Sequence, residues 1–246
     1  MLNQSLQSSL WMAGLLGHLL LLLVLIVRGR VTRFPLFTLL IVFYIARTAI
    51  PQMSFTHNLA PTTFLWLFWG FEIGDIVLRA LVLGELLRIA FRPTAIPGVR
   101  VIAWSAVAVA LAGALAMAIG TSHPPVQSML AWSIFTKGNL AVAFLSLLVL
   151  AMLLFTRRTT GLAPRSHVLA IAGGLAFYAF VFLLLQALRL WGTGQPSPHG
   201  GGQVSYFRYW MRFSAATAYF AVVLFWIVSL WFDDRPASPA PELIEA

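Results

Sequence analysis

A small set of charged side chains lies inside the apolar stretches of this sequence, where charge needs a physical reason. An ionised group at the centre of a bilayer costs about 2.5–3.5 kcal/mol on insertion scales, so such groups usually face the interior of a helix bundle and pair there. In that setting they bind polar ligands, carry protons or hold helices together. The residues are Arg47, Glu72, Asp75, Arg79, Glu85, Lys137, Arg189, Arg208 and Arg212.

Three of these charges have helical spacing. Glu72, Asp75 and Arg79 stand at i, i+3 and i+7, which places them on one helix face within about 60° of each other. Asp75 and Arg79 are an acid-to-base i, i+4 pair, so part of the charge is expected to be neutralised within the helix. Gly70 and Gly74 form a G-x-x-x-G beside the acidic face, which would let another helix approach closely. The pattern predicts that this helix is the central one.

The elements that must position these charges are predicted to cross a membrane. Apolar residues make up 60% of the 246 residues, charged residues 9%, and the mean hydropathy is +0.89. A soluble domain usually has about 25% charged residues, because its surface must be solvated. The absence of cysteine excludes disulfides and thiolate metal sites. No basic run is interleaved with aromatic residues in a polar setting, so the predicted partner is the lipid bilayer and not nucleic acid.

Seven apolar runs are long enough to cross roughly 30 Å of hydrocarbon. We therefore predict an all-α, polytopic transmembrane bundle of seven helices over residues 1–232, followed by a disordered cytoplasmic tail over residues 233–246. The leader before the first run has no basic side chain, and no small-x-small cleavage site follows, so the first helix is predicted to be uncleaved. The predicted spans are 10–27, 34–50, 63–91, 99–119, 129–155, 168–191 and 204–232.

Arginine positions predict the orientation. Arginines occupy the first connection, residues 28–33, and flank the third and fifth connections, whereas the second, fourth and sixth contain no Lys or Arg. By the positive-inside rule the odd connections are cytoplasmic, so the N-terminus is outside and the C-terminus is in the cytoplasm. The expected location is the cell inner (plasma) membrane, as a multi-pass protein.

This orientation predicts how deep each charge lies. The third span enters from outside near Thr63, so Glu72 and Asp75 lie about 14–18 Å down, near the midplane. Arg47 lies a few residues before the outer end of the second span, and Lys137 about two turns inside the outer end of the fifth. We predict a layered arrangement, with cations in the outer half above the two carboxylates. The other outer cations are Arg189, Arg208 and Arg212.

Some of these charges also have structural interpretations. Arginines near helix ends usually snorkel to the headgroups, which applies to the cations of the sixth and seventh spans. The mid-depth charges and Lys137 could equally form a purely structural network of ion pairs. Glu85, nearer the cytoplasm and followed by Arg88, is interpreted as half of an interfacial pair.

Several familiar membrane chemistries lack their residues. Retinal attachment needs a lysine in the seventh span, which has none. Haem needs two axial ligands, usually histidines, and His18 is the only histidine deep in a span, so we expect it to hydrogen-bond within the bundle. There is no H-E-x-x-H and no G-x-S-x-G. We therefore expect no enzymatic activity, no metal and no cofactor.

The order of features resembles that of a class of uncharacterised bacterial seven-helix integral membrane proteins. The residues that carry the resemblance are the FPLF sequence at 34–37, which begins the second span, Arg47 near its outer end, and Glu72 with Glu85 on the third span. The resemblance covers most of the chain. It implies the same topology and a central third helix, and it brings no activity with it.

Three functions fit this pattern. An outward-facing, charge-lined pocket would bind a small polar or anionic ligand in a receptor-like sensor, which would signal through a membrane partner protein, or in a transporter component. The second is a proton- or ion-coupled permease with Asp75 or Glu72 as the titrating group, and the third is a structural or assembly subunit of a membrane complex. The candidate ligand-binding residues are Arg47, Glu72, Asp75, Arg79, Lys137, Arg189, Arg208 and Arg212.

The orientation predicts the behaviour of a C-terminal reporter. A reporter fused after Ala246 should be active only if it works in the cytoplasm, because the tail is expected to follow the positive-inside rule. Activity of a periplasmic reporter at the same position would overturn the topology.

Overall fold

The computed structural model describes residues 2–56, 61–91, 113, 127–157, 166–193 and 202–232, and near several helix ends it describes the backbone alone. In this part of the chain the regular secondary structure is all α-helical. The helices are α1 Leu2–Val27, α2 Pro35–Thr56, α3 Pro61–Phe91, α4 Gln127–Phe155, α5 His167–Thr193 and α6 Gly202–Trp231.

Each predicted span that falls on described residues is a helix. The predicted fourth span, 99–119, and the predicted tail, 233–246, lie outside the described residues. α1 begins at Leu2, earlier than the predicted residue 10, and α2, which was expected to end at Ile50, continues past Pro51 to Thr56. Proline removes one helical hydrogen bond, but a membrane-type helix tolerates this where neighbouring groups satisfy the freed carbonyl.

Three of the described helices are long and apolar enough to cross a membrane. The segments are Phe135–Phe155 in α4, His167–Leu188 in α5 and Phe213–Trp231 in α6. α3 has 31 residues but several charged side chains, so composition alone does not mark it as lipid-crossing. The all-helical fold with three such segments is that of a membrane protein.

The turn between α1 and α2 fixes how these two helices meet. Gly29 has φ 63°, a left-handed conformation that glycine adopts without a Cβ penalty. The N–H of Arg30 donates to the carbonyl of Leu25 (2.8 Å) and that of Gly29 to Ile26 (3.0 Å), which is the Schellman pattern. Pro35 then occupies the first position of α2, where its missing N–H costs nothing.

The packing of the described helices closes into a ring. α1 packs on α2, α2 on α3, α3 on α4, α4 on α5, α5 on α6 and α6 back on α1, and α3 also touches α5. We call the end of the bundle that holds Arg28, Arg30 and Arg33 the basic end, and the opposite end the far end. α1 runs towards the basic end and α2 away from it.

Side-chain pairs give the directions of the other helices. Trp69 stacks on Phe135 with ring centroids 4.3 Å apart, and ten residues later Arg79 donates to Asn139. From the first contact to the second, the residue number increases on both helices. α3 and α4 are therefore parallel, and both run to the basic end. Phe91 therefore lies at the basic end while Gln127, where α4 begins, lies at the far end.

The described hydrophobic core lies in the half of the bundle nearest the basic end. Its fully buried members come from all six helices and none is charged. Their contacts fill the space between the helices on this side. The largest are Leu21, Leu25, Phe37, Leu40, Ile41, Leu83, Leu86, Leu153, Ile171, Trp226 and Leu230, with Phe34 just before α2.

The contact between α5 and α6 depends on a glycine. The indole of Trp226 lies against Gly174, donates from Nε1 to the carbonyl of Ala170 (3.2 Å) and meets Phe37 edge-on. A Cβ at Gly174 would overlap the indole, whereas one at Gly173 would meet nothing within 4 Å. The two adjacent glycines thus form a matched pair for testing this packing.

We predict that Gly174→Ala destabilises the protein by about 1–3 kcal/mol, the usual cost of overpacking a well-filled core. Gly173→Ala should leave stability unchanged or slightly raised, because alanine favours a helix interior over glycine. Thermal unfolding of the detergent-purified variants measures both. Equal midpoints for the two variants would show that the indole does not pack as described.

Candidate functional site

Two arginines and two carboxylates meet between α2 and α3. Arg47 on α2 pairs through Nη2 with Glu72 Oε1 and through Nη1 with Asp75 Oδ2, the latter at 3.3 Å. Arg79 pairs through Nη2 with the same Oδ2 of Asp75 at 2.5 Å. The predicted i, i+4 pair of Asp75 and Arg79 is thereby confirmed. We call Arg47, Glu72, Asp75 and Arg79 the charge network.

Asp75 is the most enclosed member of the charge network. Besides both arginines, its Oδ1 accepts a hydrogen bond from the Tyr44 hydroxyl at 2.8 Å. Arg79 in turn donates to Asn139 Oδ1 on α4 at 2.5 Å. The network therefore joins three helices, and Asp75 has donors from two of them.

The four side chains of the charge network differ in how much of their surface is exposed. The side chain of Arg47 is 33% exposed, that of Glu72 16%, that of Arg79 11% and that of Asp75 9%. Arg47 and Glu72 thus form the open edge of the network, and Asp75 with Arg79 its enclosed part.

The predicted layering is wrong for Arg47. It was expected near the outer end of α2, above the carboxylates, but it lies at their level and in contact with both. The reason is the continuation of α2 past Pro51, which leaves Arg47 about 14 Å from Thr56, the last residue of the helix.

An aromatic cluster adjoins the enclosed part of the charge network through Tyr44. His18 Nε2 hydrogen-bonds the Tyr219 hydroxyl at 2.7 Å, which confirms the expectation that His18 bonds within the bundle. The rings of Tyr44 and Tyr219 are 5.7 Å apart between centroids, and those of Tyr178 and Tyr219 5.3 Å. α1, α2, α5 and α6 therefore each contribute a ring to this cluster, and Tyr44 joins the cluster to Asp75.

Glu85 has a different role from the interfacial pair that was expected. It is buried, and its two oxygens accept hydrogen bonds from the backbone N–H groups of Leu36 (3.0 Å) and Phe37 (3.1 Å). These are free donors in the first turn of α2, where the helix dipole also favours an anion. Glu85 therefore fixes the N-terminus of α2 to α3, and the FPLF sequence supplies the donors.

The two glycines of the G-x-x-x-G differ. Gly74 lies against the ring of Phe43, where a Cβ would be only 2.8 Å from ring carbons, so α2 does approach α3 closely there. A Cβ at Gly70 would meet nothing within 4 Å. The predicted close approach is confirmed at Gly74 alone.

The remaining predicted ligand residues lie towards the far end. Lys137 is on α4, two residues before Asn139, and it is Asn139 that contacts Arg79. Arg189 lies in the last two turns of α5, and Arg208 and Arg212 in the first three turns of α6. The side chains of these three arginines are outside the described part, so their grouping with the charge network stays a prediction.

Sequence reasoning missed Tyr44, Asn139, Tyr178 and Tyr219. The available signal was polarity: each has a hydroxyl or amide within an apolar span, and such groups need partners in lipid. Among the described residues no three His, Asp or Glu side chains come together as metal ligands.

Comparison with protein-family models, with curated proteins and with solved structures finds none that matches this chain. The described part of the chain is an all-helical bundle with three helices able to cross a membrane and a paired charge network in its interior.

We predict that Asp75→Asn destabilises the protein by about 3–5 kcal/mol, because it leaves the enclosed guanidinium of Arg79 without its carboxylate. Replacing both partners, Asp75→Asn with Arg79→Met, should recover part of this loss. Thermal unfolding of the two single variants and the double variant measures the coupling. Strictly additive losses would contradict the ion pair.

Proposed function

We propose that this protein is a seven-span protein of the cell inner membrane with its N-terminus outside and its C-terminus in the cytoplasm. We further propose that the charge network is the base of an outward-facing site for a small polar or anionic ligand. The protein would act as a receptor-like sensor or a transporter component.

The directions of α3 and α4 support a seventh span. Because these helices are parallel, α3 ends at the basic end with Phe91 and α4 begins at the far end with Gln127, so the chain between them has to cross from one end to the other. The apolar run 99–119 is long enough for that crossing. With arginines gathered at the basic end, the positive-inside rule then makes the far end the outer one.

The observation that carries the functional proposal is the position of the charge network relative to the hydrophobic core. The network lies on the far-end side of the core, and its exposure falls from 33% at Arg47 to 9% at Asp75. A ligand arriving from the far end would meet Arg47 and Glu72 first. The hydrophobic core would separate the ligand from the basic end.

Charge balance favours a second candidate, a structural or assembly subunit. Arg47 and Arg79 are matched by Glu72 and Asp75, so the described network needs no ligand to be neutral. A permease in which Asp75 carries the proton is less well supported. Tyr44, Arg47 and Arg79 all contact its carboxylate and would have to yield it in each cycle.

We predict that a small polar or anionic compound raises the thermal midpoint of the purified protein. A compound that binds the folded state stabilises it by about 2.7 kcal/mol at 100 times its Kd. This stabilisation should be lost in Arg47→Ala, because the variant lacks the guanidinium that would bind the compound. Arg88→Ala is the control, because Arg88 lies on α3 in its last turn, at the basic end. A panel of small organic anions and polar solutes, tested across pH, supplies the measurement.

A structural or assembly subunit would give a different result in the same experiment. No compound would shift the midpoint of the wild-type protein, Arg47→Ala would simply be less stable, and a stoichiometric membrane partner would co-purify.

A further inference from the structure

We propose that the ligand of this site is zwitterionic, with a carboxylate and an ammonium group on the same carbon atom, as in a free α-amino acid. This inference rests on the proposed outward-facing site and narrows its ligand class. It follows from how the partners within the charge network are shared, which differs between its open and its enclosed part.

Asp75 and Arg79, the enclosed part of the network, would keep charged and hydrogen-bonding partners if Arg47 moved away. If the guanidinium of Arg47 turned away, Asp75 would keep Arg79 at 2.5 Å and the Tyr44 hydroxyl at 2.8 Å. Arg79 would keep Asp75 and Asn139. Arg47 is also the most exposed of the four side chains. It is therefore the member of the network that can exchange its partner.

The carboxylate of Glu72, in contrast, needs a cationic partner. Its contact in the network is Arg47, and its side chain is only 16% exposed. A carboxylate left without a partner in an enclosed, poorly solvated place is strongly disfavoured. A ligand anion that drew Arg47 away would thus leave Glu72 uncompensated, unless the same ligand also brought a cation.

A zwitterion exchanges partners one for one. Its carboxylate binds the Arg47 guanidinium, whose geometry favours a bidentate contact. Its ammonium group pairs with the Glu72 carboxylate. The net charge of the site stays the same before and after binding. A net anion or a net cation would each add an unbalanced charge beside Asp75 and Arg79.

The test compares each standard amino acid with the two halves of its own skeleton. Alanine is matched with propionate and ethylamine, and leucine with 4-methylpentanoate and 3-methylbutylamine. The full-length protein, purified in detergent, is screened by thermal shift, and calorimetry gives the Kd of each compound that shifts it. We expect at least one amino acid to stabilise the protein while its matched carboxylate and amine do not.

The Glu72→Gln variant should change the selectivity. It keeps the side-chain shape but removes the partner of the ammonium, so the Kd for the amino acid should rise at least about ten-fold. The matched carboxylate should then bind at least as tightly as the amino acid, because Arg47 is no longer shared with Glu72. Arg88→Gln, at the basic end, should leave both affinities unchanged.

Two other outcomes overturn the proposal in different ways. If carboxylates or other net anions stabilise the wild-type protein as well as amino acids do, the ligand class is wrong and the outward-facing site stands. If no compound of any class shifts the midpoint, the ligand class and the site both fail. If Glu72→Gln cannot be purified, the comparison of amino acids with their halves on the wild-type protein still decides.

Discussion

The carboxylate of Asp75 can be enclosed in this bundle only because donors come with it. Arg79 reaches it from the next turn of the same helix, and Arg47 and Tyr44 reach it from α2. An uncompensated charge in such a place costs several kcal/mol, so α2 and α3 can pack only in the register that brings these groups together.

The same two helices share a second anchor nearer the basic end. Glu85 binds the free N–H groups of Leu36 and Phe37, about 16 Å along α2 from Arg47. Between the anchors, Gly74 admits the ring of Phe43 and brings the helices close together. A polar contact at each end and apolar packing between them leave little freedom for sliding. The FPLF sequence thus contacts Glu85 at one anchor, and Arg47 contacts Glu72 at the other.

Much of the fold follows from the sequence, because long apolar runs and arginine positions are enough to place helices and suggest their orientation. The Asp75–Arg79 pair was also predictable, since its geometry is internal to one helix. Contacts between helices were harder to predict from the sequence. Arg47 was placed too near the end of α2 because Pro51 was expected to end this helix. Glu85 was paired with Arg88 because a backbone partner on another helix leaves no sign in the sequence. Asn139 was overlooked in favour of Lys137, whose charge is more conspicuous but whose neighbour makes the contact with Arg79.

The proposed site requires that water reach the charge network from the outside and that the hydrophobic core separate this network from the cytoplasm. The protein has no cysteine, so single cysteines report access without background. The direct measurement is the labelling of Arg47→Cys and Leu40→Cys by a membrane-impermeant thiol reagent, in right-side-out and in inside-out vesicles. We expect Arg47→Cys to react in right-side-out vesicles only, and Leu40→Cys, two turns nearer the basic end and fully buried, to react in neither. Reaction of Arg47→Cys from the cytoplasmic face, or from neither face, would contradict the account.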